Sequence, residues 1–205
     1  MTQTAHRPHP AYATASAVPL VRSIPERCRV CYTCVRECPA KAIRIVQGQA
    51  DVVAERCIGC GNCVRVCSQS AKEVRSSIAR AWEQLATGAP VAALLAPSFP
   101  AEFPDCDHRI VVGMLRCLGF TKVCETAFGA DLVAAEYRRI LESRPNERFI
   151  ATTCPAVVSF VELYHPILVD RLMPVVSPML AAARALRAAN SNMRIVFIGP
   201  CIAKK

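Results

Sequence analysis

The chain has 205 residues, 53% of them hydrophobic and 20% charged, and its formal net charge is +9. This composition indicates a folded globular protein and excludes an intrinsically disordered chain. The longest apolar runs are far too short to cross a bilayer, and the N-terminus lacks a signal-peptide pattern, so we predict a cytoplasmic protein without a membrane span. Nucleic acid is not an expected partner, because no stripe of Lys and Arg is interleaved with aromatic residues.

Residues 1–20 are rich in Ala, Thr, Ser, Pro and His and have no apolar period, which predicts a disordered arm. His6 and His9 in this arm could contact a metal, but solvated tail residues are the favoured interpretation. The chain contains thirteen cysteines. Without an export signal, cysteines are expected to be reduced, and this number therefore favours metal ligation over disulfides.

Eight of these cysteines form two runs with the same spacing, C-x2-C-x2-C-x3-C, and the second run begins 29 residues after the first. In bacterial ferredoxins with this spacing, three cysteines of a run bind one 4Fe–4S cluster and the fourth binds the other cluster. We therefore predict two clusters in an α+β ferredoxin-like double-cubane domain at 21–76. The predicted ligands are Cys28, Cys31, Cys34 and Cys67 for one cluster and Cys57, Cys60, Cys63 and Cys38 for the other.

Structural zinc is the alternative interpretation of these two runs. Zinc sites usually pair two C-x2-C knuckles across a long spacer, whereas each run here makes two successive C-x2 steps. The spacing therefore favours cubanes. The second run departs from the ferredoxin pattern at one position, where Ser68 replaces the proline that the first run has as Pro39. This change removes no ligand.

Hydrophobic patterning and turn signals predict the other elements in chain order. A hairpin is expected at 42–53 between the cysteine runs, followed by a linking helix at 77–89. Beyond residue 90, short apolar runs alternate with segments of helical period. Strands are expected at 91–96, 121–124, 149–152 and 194–199, and helices at 108–118, 130–143, 156–163 and 178–189. This alternation predicts an α/β parallel-sheet half-domain at 90–205.

The five remaining cysteines lie in the second half of the chain. Core packing is the favoured interpretation of Cys106, Cys117 and Cys124. Cys154 and Cys201 each follow a predicted strand and lie beside a proline. Because ligands of parallel sheets collect at the carboxyl ends of the strands, these two cysteines could share a metal.

Four motifs in this half occur in the order found in iron-only hydrogenases, which the chain resembles from about residue 24 onward. They are Phe128-Gly129-Ala130-Asp131, Thr152-Thr153-Cys154-Pro155, Ser177-Pro178-Met179 and Pro200-Cys201-Ile202-Ala203-Lys204-Lys205. The resemblance implies an H-cluster, a cubane bridged to a two-iron group that carries CO and cyanide. It further implies that Cys154 and Cys201 are two of the four cubane ligands. By the same resemblance, Lys204 hydrogen-bonds a cyanide, and Ala96 and Pro97 pack against the two-iron group.

The sequence also departs from the family pattern. The other two cubane ligands belong to a second half-domain that the sequence does not reach, which implies a truncated chain and an H-cluster site that is partial unless a missing segment completes it. Thr153 stands at the position of the proton-transfer cysteine. Tyr137 and Ile140 stand where the family has the glutamates of its proton path, Met173 stands at its serine, and Glu136 matches a neighbouring position.

With no intact catalytic residue, we expect 4Fe–4S binding and one-electron transfer in a hydrogenase-like protein that senses hydrogen or is catalytically impaired. The expected partner is a redox protein or a downstream sensory domain. Two alternatives remain open. The chain could be part of an active hydrogenase if the missing half is supplied, or a scaffold for iron–sulfur assembly without hydrogen chemistry.

Overall fold

A computed structural model describes residues 19–205, so His6, His9 and nearly all of the predicted disordered arm lie outside the described residues. The strands and helices of the described residues follow one another as β1 (Val21–Ser23), α1 (Thr33–Arg36), β2 (Ile43–Val46), β3 (Gln49–Val52), α2 (Asn62–Arg65), β4 (Lys72–Val74), α3 (Ile78–Ala86), β5 (Val91–Leu95), α4 (Phe99–Glu102), α5 (His108–Cys117), β6 (Lys122–Glu125), α6 (Thr126–Ser143), α7 (Pro155–Tyr164), α8 (Pro178–Ala189) and β7 (Arg194–Ile198). Within residues 19–205, none of the helices combines the length and the hydrophobicity that a membrane span requires.

The chain divides into two compact units, and each unit draws on separate stretches of sequence. The described part of the first unit comprises residues 19–75, Phe149–Leu172 and Cys201–Lys205. The second unit comprises Ser76–Arg148 and Met173–Pro200. The domain bounds expected from the sequence, which place all of 90–205 in one domain, stay a prediction.

The first unit contains an internal repeat with the same 29-residue offset as its cysteines. β1 corresponds to β3, α1 to α2 and β2 to β4, and a 3-10 turn at Pro25–Arg27 corresponds to one at Ala54–Arg56. The strands pair antiparallel, β1 with β4 and β2 with β3. The β2–β3 pair confirms the predicted hairpin. Because each small sheet takes one strand from each repeat, neither repeat can complete its sheets alone.

The second unit is built on a parallel three-stranded sheet with the order β6-β5-β7. All five residues of β5 are buried, as expected for the central strand of a covered parallel sheet. Helices α6 and α8 pack so closely that a Cβ at Gly129 would overlap the Pro178 carbonyl oxygen and lie 2.9 Å from the Ala182 Cβ. This contact explains why a glycine occupies the middle of the predicted hydrogenase-like motif. The strands predicted at 91–96, 121–124 and 194–199 are confirmed, and α6 begins four residues earlier than predicted.

Two predictions for the second half were wrong. No strand forms at 149–152, where Ile150 makes a single parallel bridge to Leu172 and Pro155 begins α7 three residues after Thr152. One bridge does not make a ladder, and the segment lies in the first unit rather than in the parallel sheet. Cys106 and Cys117 are exposed rather than packed in a core: Cys106 lies in the connection between α4 and α5, and Cys117 is the last residue of α5, where the helix gives way to a turn, while Cys124 is partly buried.

Candidate iron–sulfur centres

The two cysteine runs fold into loops with the same backbone conformation. In each loop a 3-10 turn ends at the first cysteine, two left-handed residues surround the second, and a one-turn helix carries the third. The left-handed residues are Val30 and Tyr32 in the first loop and Gly59 and Gly61 in the second, each pair with positive φ. Alternating left-handed residues turn successive amides toward one side of a loop, which creates a concave surface for an anionic group. The spacing of the cysteines and the path of the backbone therefore agree.

Backbone amides donate hydrogen bonds to cysteine sulfurs in both halves of the repeat. The amide of Ala42 lies 3.3 Å from the Cys38 sulfur, and the amide of Ala71 lies 3.2 Å from the Cys67 sulfur. In the second loop the amide of Gly59 also donates to Cys57, at 3.4 Å. Hydrogen bonds to sulfur favour the thiolate and the charged cluster that it binds. These backbone donors are what a cluster bound by thiolates would require at this site.

In the first loop, the hydroxyl of Thr33 lies 3.4 Å from the sulfur of Cys31. Hydrogen bonds from the side chain and the backbone of Thr33 lower the pKa of the Cys31 thiol. The second loop has Asn62 at the corresponding position, and its side-chain amide donates instead to the Glu37 carbonyl, at 2.7 Å. The two loops thus differ at this position: the Thr33 side chain contacts the second cysteine, whereas the Asn62 side chain bonds to a backbone carbonyl.

The fourth cysteine of each run lies with the other run. Burial raises the pKa of Cys34, and Cys67, Cys28 and Cys31 raise it further by charge repulsion between thiolates. Cys67 belongs to the second run, yet it is an electrostatic neighbour of a first-run cysteine. Cys67 therefore lies close enough to the first loop to interact electrostatically with Cys34.

The corresponding arrangement is found at the second loop. Burial raises the pKa of Cys63 to about 11, and Cys57, Cys60 and Cys38 add to this shift. Here Cys38 is the cysteine that comes from the other run. Each of the two sets predicted from the spacing is thus gathered in space. Its role as a ligand set stays a prediction.

Among residues 19–205, no group of three or more His, Cys, Asp or Glu side chains could hold a single metal ion. A zinc ion would need four donors converging on one point, at about 2.3 Å for each thiolate. A cubane makes a different demand, because each cysteine binds its own iron at a separate corner of the cluster. A cubane therefore does not require its four cysteine sulfurs to converge on one point.

Lys72 is a residue of this site that the sequence analysis missed. Its side chain is 5% exposed, and its ammonium group donates to the Ser23 hydroxyl at 2.6 Å and to the Ala50 carbonyl. Its charge lowers the pKa values of both Cys34 and Cys63, against the effect of their burial. Aligning the two repeats could have revealed it, since Lys72 stands 29 residues after the buried Ile43.

The segment that follows the second unit's long helix also contributes to the first unit. Helix α7 begins at Cys154, which is its N-cap residue, and ends at Tyr164. The Tyr164 hydroxyl bonds to the carbonyls of Ala40, at 2.6 Å, and Arg56, at 2.8 Å. Ala40 lies just past the first cysteine run and Arg56 just before the second. One side chain therefore links both halves of the repeat to α7.

Comparison with known families agrees with this description of both halves. Residues 20–68 match the model of the 4Fe-4S dicluster domain. Residues 89–205, more than half of the chain, match the model of the iron only hydrogenase large subunit, C-terminal domain. The chain belongs to the iron-only hydrogenase large subunit family. Its ferredoxin-type domain binds iron–sulfur of the 4Fe–4S cluster type and transfers electrons.

The two cysteines that the family resemblance assigns to the H-cluster occupy similar local positions in the first unit. Cys154 precedes the first turn of α7, and Cys201 precedes a 3-10 turn at Ile202–Lys204 that contacts α7. Both thiols are partly buried. Two partly buried thiols could provide at most half of the four thiolates that the cubane of an H-cluster requires, and their role as ligands stays a prediction.

Of the other residues implied by the resemblance, Lys204 and Thr153 are close in sequence to these cysteines, whereas Ala96 and Pro97 belong to the second unit. Lys204 is partly exposed, and its amide bonds to the Cys201 carbonyl at 3.3 Å. Thr153 is partly exposed and directly precedes Cys154. In the second unit, Ala96 is buried and donates its amide to the Ile198 carbonyl at 2.9 Å, while the adjacent Pro97 is exposed. The roles of these four residues stay predictions.

Proposed function

We propose that this chain holds two 4Fe–4S clusters in crossed cysteine sets and passes single electrons between them, within a hydrogen-sensing member of the iron-only hydrogenase family. The observation that carries the first part is the exchange of the fourth cysteines. Cys67 is an electrostatic neighbour of Cys34, and Cys38 is one of Cys63. Two ligand sets that share the loops in this way hold their clusters close together, which favours rapid electron exchange.

Anaerobic reconstitution tests the two-cluster part of this proposal. We expect about eight iron and eight sulfide per chain, with the broad visible absorption of iron–sulfur charge transfer. A zinc content near two, without that absorption, would contradict it. About four iron per chain would mean that only one of the crossed sets assembles a cluster.

The sensing part of the proposal depends on residues that cannot relay protons. Ile140 and Met173 are buried apolar side chains in the second unit, at positions where the family has a glutamate and a serine. Glu136 does not replace them, because two of the three guanidinium nitrogens of Arg139, Nε and Nη2, donate to its carboxylate. The hydrogen bond from Arg139 lowers the pKa of Glu136, which favours its ionised form. A carboxylate held in this way is a poor proton donor near neutral pH.

Thr153 weakens the relay at a further position. A thiol has a pKa of about 8.5 and can exchange a proton near neutral pH, whereas a hydroxyl is a far weaker acid. Hydrogen turnover needs repeated proton delivery, but hydrogen binding does not. These substitutions therefore reduce turnover more than they reduce binding, a combination that a sensor tolerates.

The rate of hydrogen turnover tests this part. It is measured on the protein after its catalytic cofactor and all ligands of that cofactor have been supplied. We expect turnover at least about a hundredfold below that of a family member with an intact relay, the usual cost of losing a general acid–base group. Thr153→Cys alone should recover little, because Tyr137, Ile140 and Met173 remain. Rapid turnover without any replacement would support the active hydrogenase instead, and iron–sulfur transfer without any response to hydrogen would support the assembly scaffold.

A further inference from the structure

The two repeats of the first unit differ at one cross-strand pair in a way that concerns charge. In the β2–β3 sheet, Ile43 lies opposite Val52. At the corresponding position of the β1–β4 sheet, Lys72 lies opposite Ser23. An apolar pair in one half is thus replaced by a cation and a hydroxyl in the other. Hydrophobic packing accounts for the first pair and leaves the second unexplained.

Lys72 is as buried as its apolar counterpart, with 5% of its surface exposed against 7% for Ile43. Its hydrogen-bond acceptors, the Ser23 hydroxyl and the Ala50 carbonyl, are both uncharged. Among the ion pairs of the described residues, none includes Lys72. A buried ammonium without a nearby negative charge is strongly unfavourable. Its burial therefore calls for a source of negative charge close by.

The cysteine sets supply that charge once clusters are bound. A 4Fe–4S core with four thiolates carries a net charge of about −2, and reduction makes it more negative. The Ala50 carbonyl that accepts from Lys72 belongs to a buried cluster that includes Cys34 of one set, and Cys63 of the other set packs against that cluster. One buried cation thus lies within electrostatic reach of both clusters.

We infer that the positive charge of Lys72 stabilises the reduced states of both 4Fe–4S clusters and so raises both reduction potentials. This inference rests on the two-cluster assignment proposed above. Cluster potentials are known to depend on net charge and on solvent exposure around the cluster. Because buried charges are screened much less than exposed ones, one internal lysine outweighs a lysine or arginine on the surface. The Ser23 hydroxyl and Ala50 carbonyl keep the ammonium in place.

Redox titration of the reconstituted full chain, followed by EPR, tests the inference. Lys72→Met should make reduction of each cluster about tenfold less favourable, equivalent to a potential about 59 mV lower for one electron. Lys72→Arg, which keeps the charge, should remain near the wild type. The matched control is Arg44→Gln, which removes a positive charge from an exposed position on β2 and should shift reduction less than twofold.

A second variant protects the test against misfolding of Lys72→Met. The double variant Lys72→Ile with Ser23→Val copies the apolar pair of the other sheet, Ile43 and Val52, and should load both clusters and show the same shift. Loaded variants whose potentials move no more than in Arg44→Gln would overturn the inference. So would failure of both variants to take up clusters, which would make Lys72 an assembly residue. Failure of the wild type to bind two clusters would overturn the proposed function instead.

Discussion

The loop from Cys28 to Cys38 and the loop from Cys57 to Cys67 follow one backbone path with different residues. Val30 and Tyr32 adopt positive φ values of 51° and 61° in the first loop, where the second has Gly59 and Gly61 at 69° and 76°. Glycine adopts such angles freely, whereas a β-branched residue at positive φ is a steric outlier. The same backbone conformation therefore forms with and without glycine, but it is more strained in the loop without glycine.

Packing explains why the second loop nevertheless has glycines. A Cβ at Gly61 would overlap the Cδ1 of Ile202 and lie 3.3 Å from its Cγ1. In the first loop, the corresponding Tyr32 is 50% exposed. The comparison indicates that a covering segment, rather than the backbone angle alone, requires glycine at position 61.

The largest expected effect is the loss of one cluster when the fourth cysteine of a loop is replaced. Cys38→Ala should remove the cluster of Cys57, Cys60 and Cys63 and spare the cluster of its own run, because Cys38 lies with the second set. Iron should fall to about half of the wild-type content. The matched variant Cys67→Ala should remove the other cluster. Cluster-resolved EPR spectra in which each variant loses the cluster of its own run would contradict the crossed assignment.

A smaller effect is expected from giving the second loop a side chain. Gly61→Ala should destabilise the loaded protein by about 2 kcal/mol, through its positive φ and its overlap with Ile202. Anaerobic urea unfolding followed by circular dichroism measures this loss.

Combining Gly61→Ala with Ile202→Ala separates the two causes. If the neighbour is the main cause, the double variant should be more stable than the sum of the two single effects predicts. Strict additivity would show that backbone strain alone requires the glycine, and the distinction drawn between the two loops would then fail.

The smallest effect is expected in the first loop. Val30→Gly should stabilise the protein by about 1 kcal/mol, because relief of a strained β-branched residue, about 1–3 kcal/mol, exceeds the entropic cost of glycine, about 0.5–1 kcal/mol. The same urea titration measures the gain. Val53→Gly is the control, since Val53 has an ordinary extended conformation and its replacement should only destabilise. A loss of stability in Val30→Gly would mean that the Val30 side chain contributes more by packing than its conformation costs.

Several features could be predicted from the sequence because they depend on local spacing. The repeat of eight cysteines predicted the two loops, and the alternation of apolar runs predicted the three strands of the parallel sheet. Both signals lie within short stretches of chain. The two crossed sets followed from the same spacing; Cys67 is electrostatically coupled to Cys34 and Cys38 to Cys63, and the assignment of the sets as ligands stays a prediction.

Other features depend on residues that are distant in sequence. A short apolar run such as that at 149–152 fits a strand as well as it fits an irregular segment, and its single bridge to Leu172 shows that it is not a strand. The bonds from Tyr164 to Ala40 and Arg56 span 124 and 108 residues, so no local pattern indicates them. Lys72 is an intermediate case, because its significance appears only when the two repeats are aligned.

The hydrogen bonds of Tyr164 also limit which other ferredoxin domains could replace the one in this chain. Its hydroxyl reaches two backbone carbonyls rather than side chains, and it lies at the opposite end of α7 from Cys154. An exchanged ferredoxin module would therefore need the same course of backbone at positions 40 and 56, whatever its amino acids there. A module with a longer or shorter connection between its cysteine runs would leave the phenol without these acceptors. The Tyr164 contact thus depends on the length of the connection between the cysteine runs more than on the side chains at positions 40 and 56.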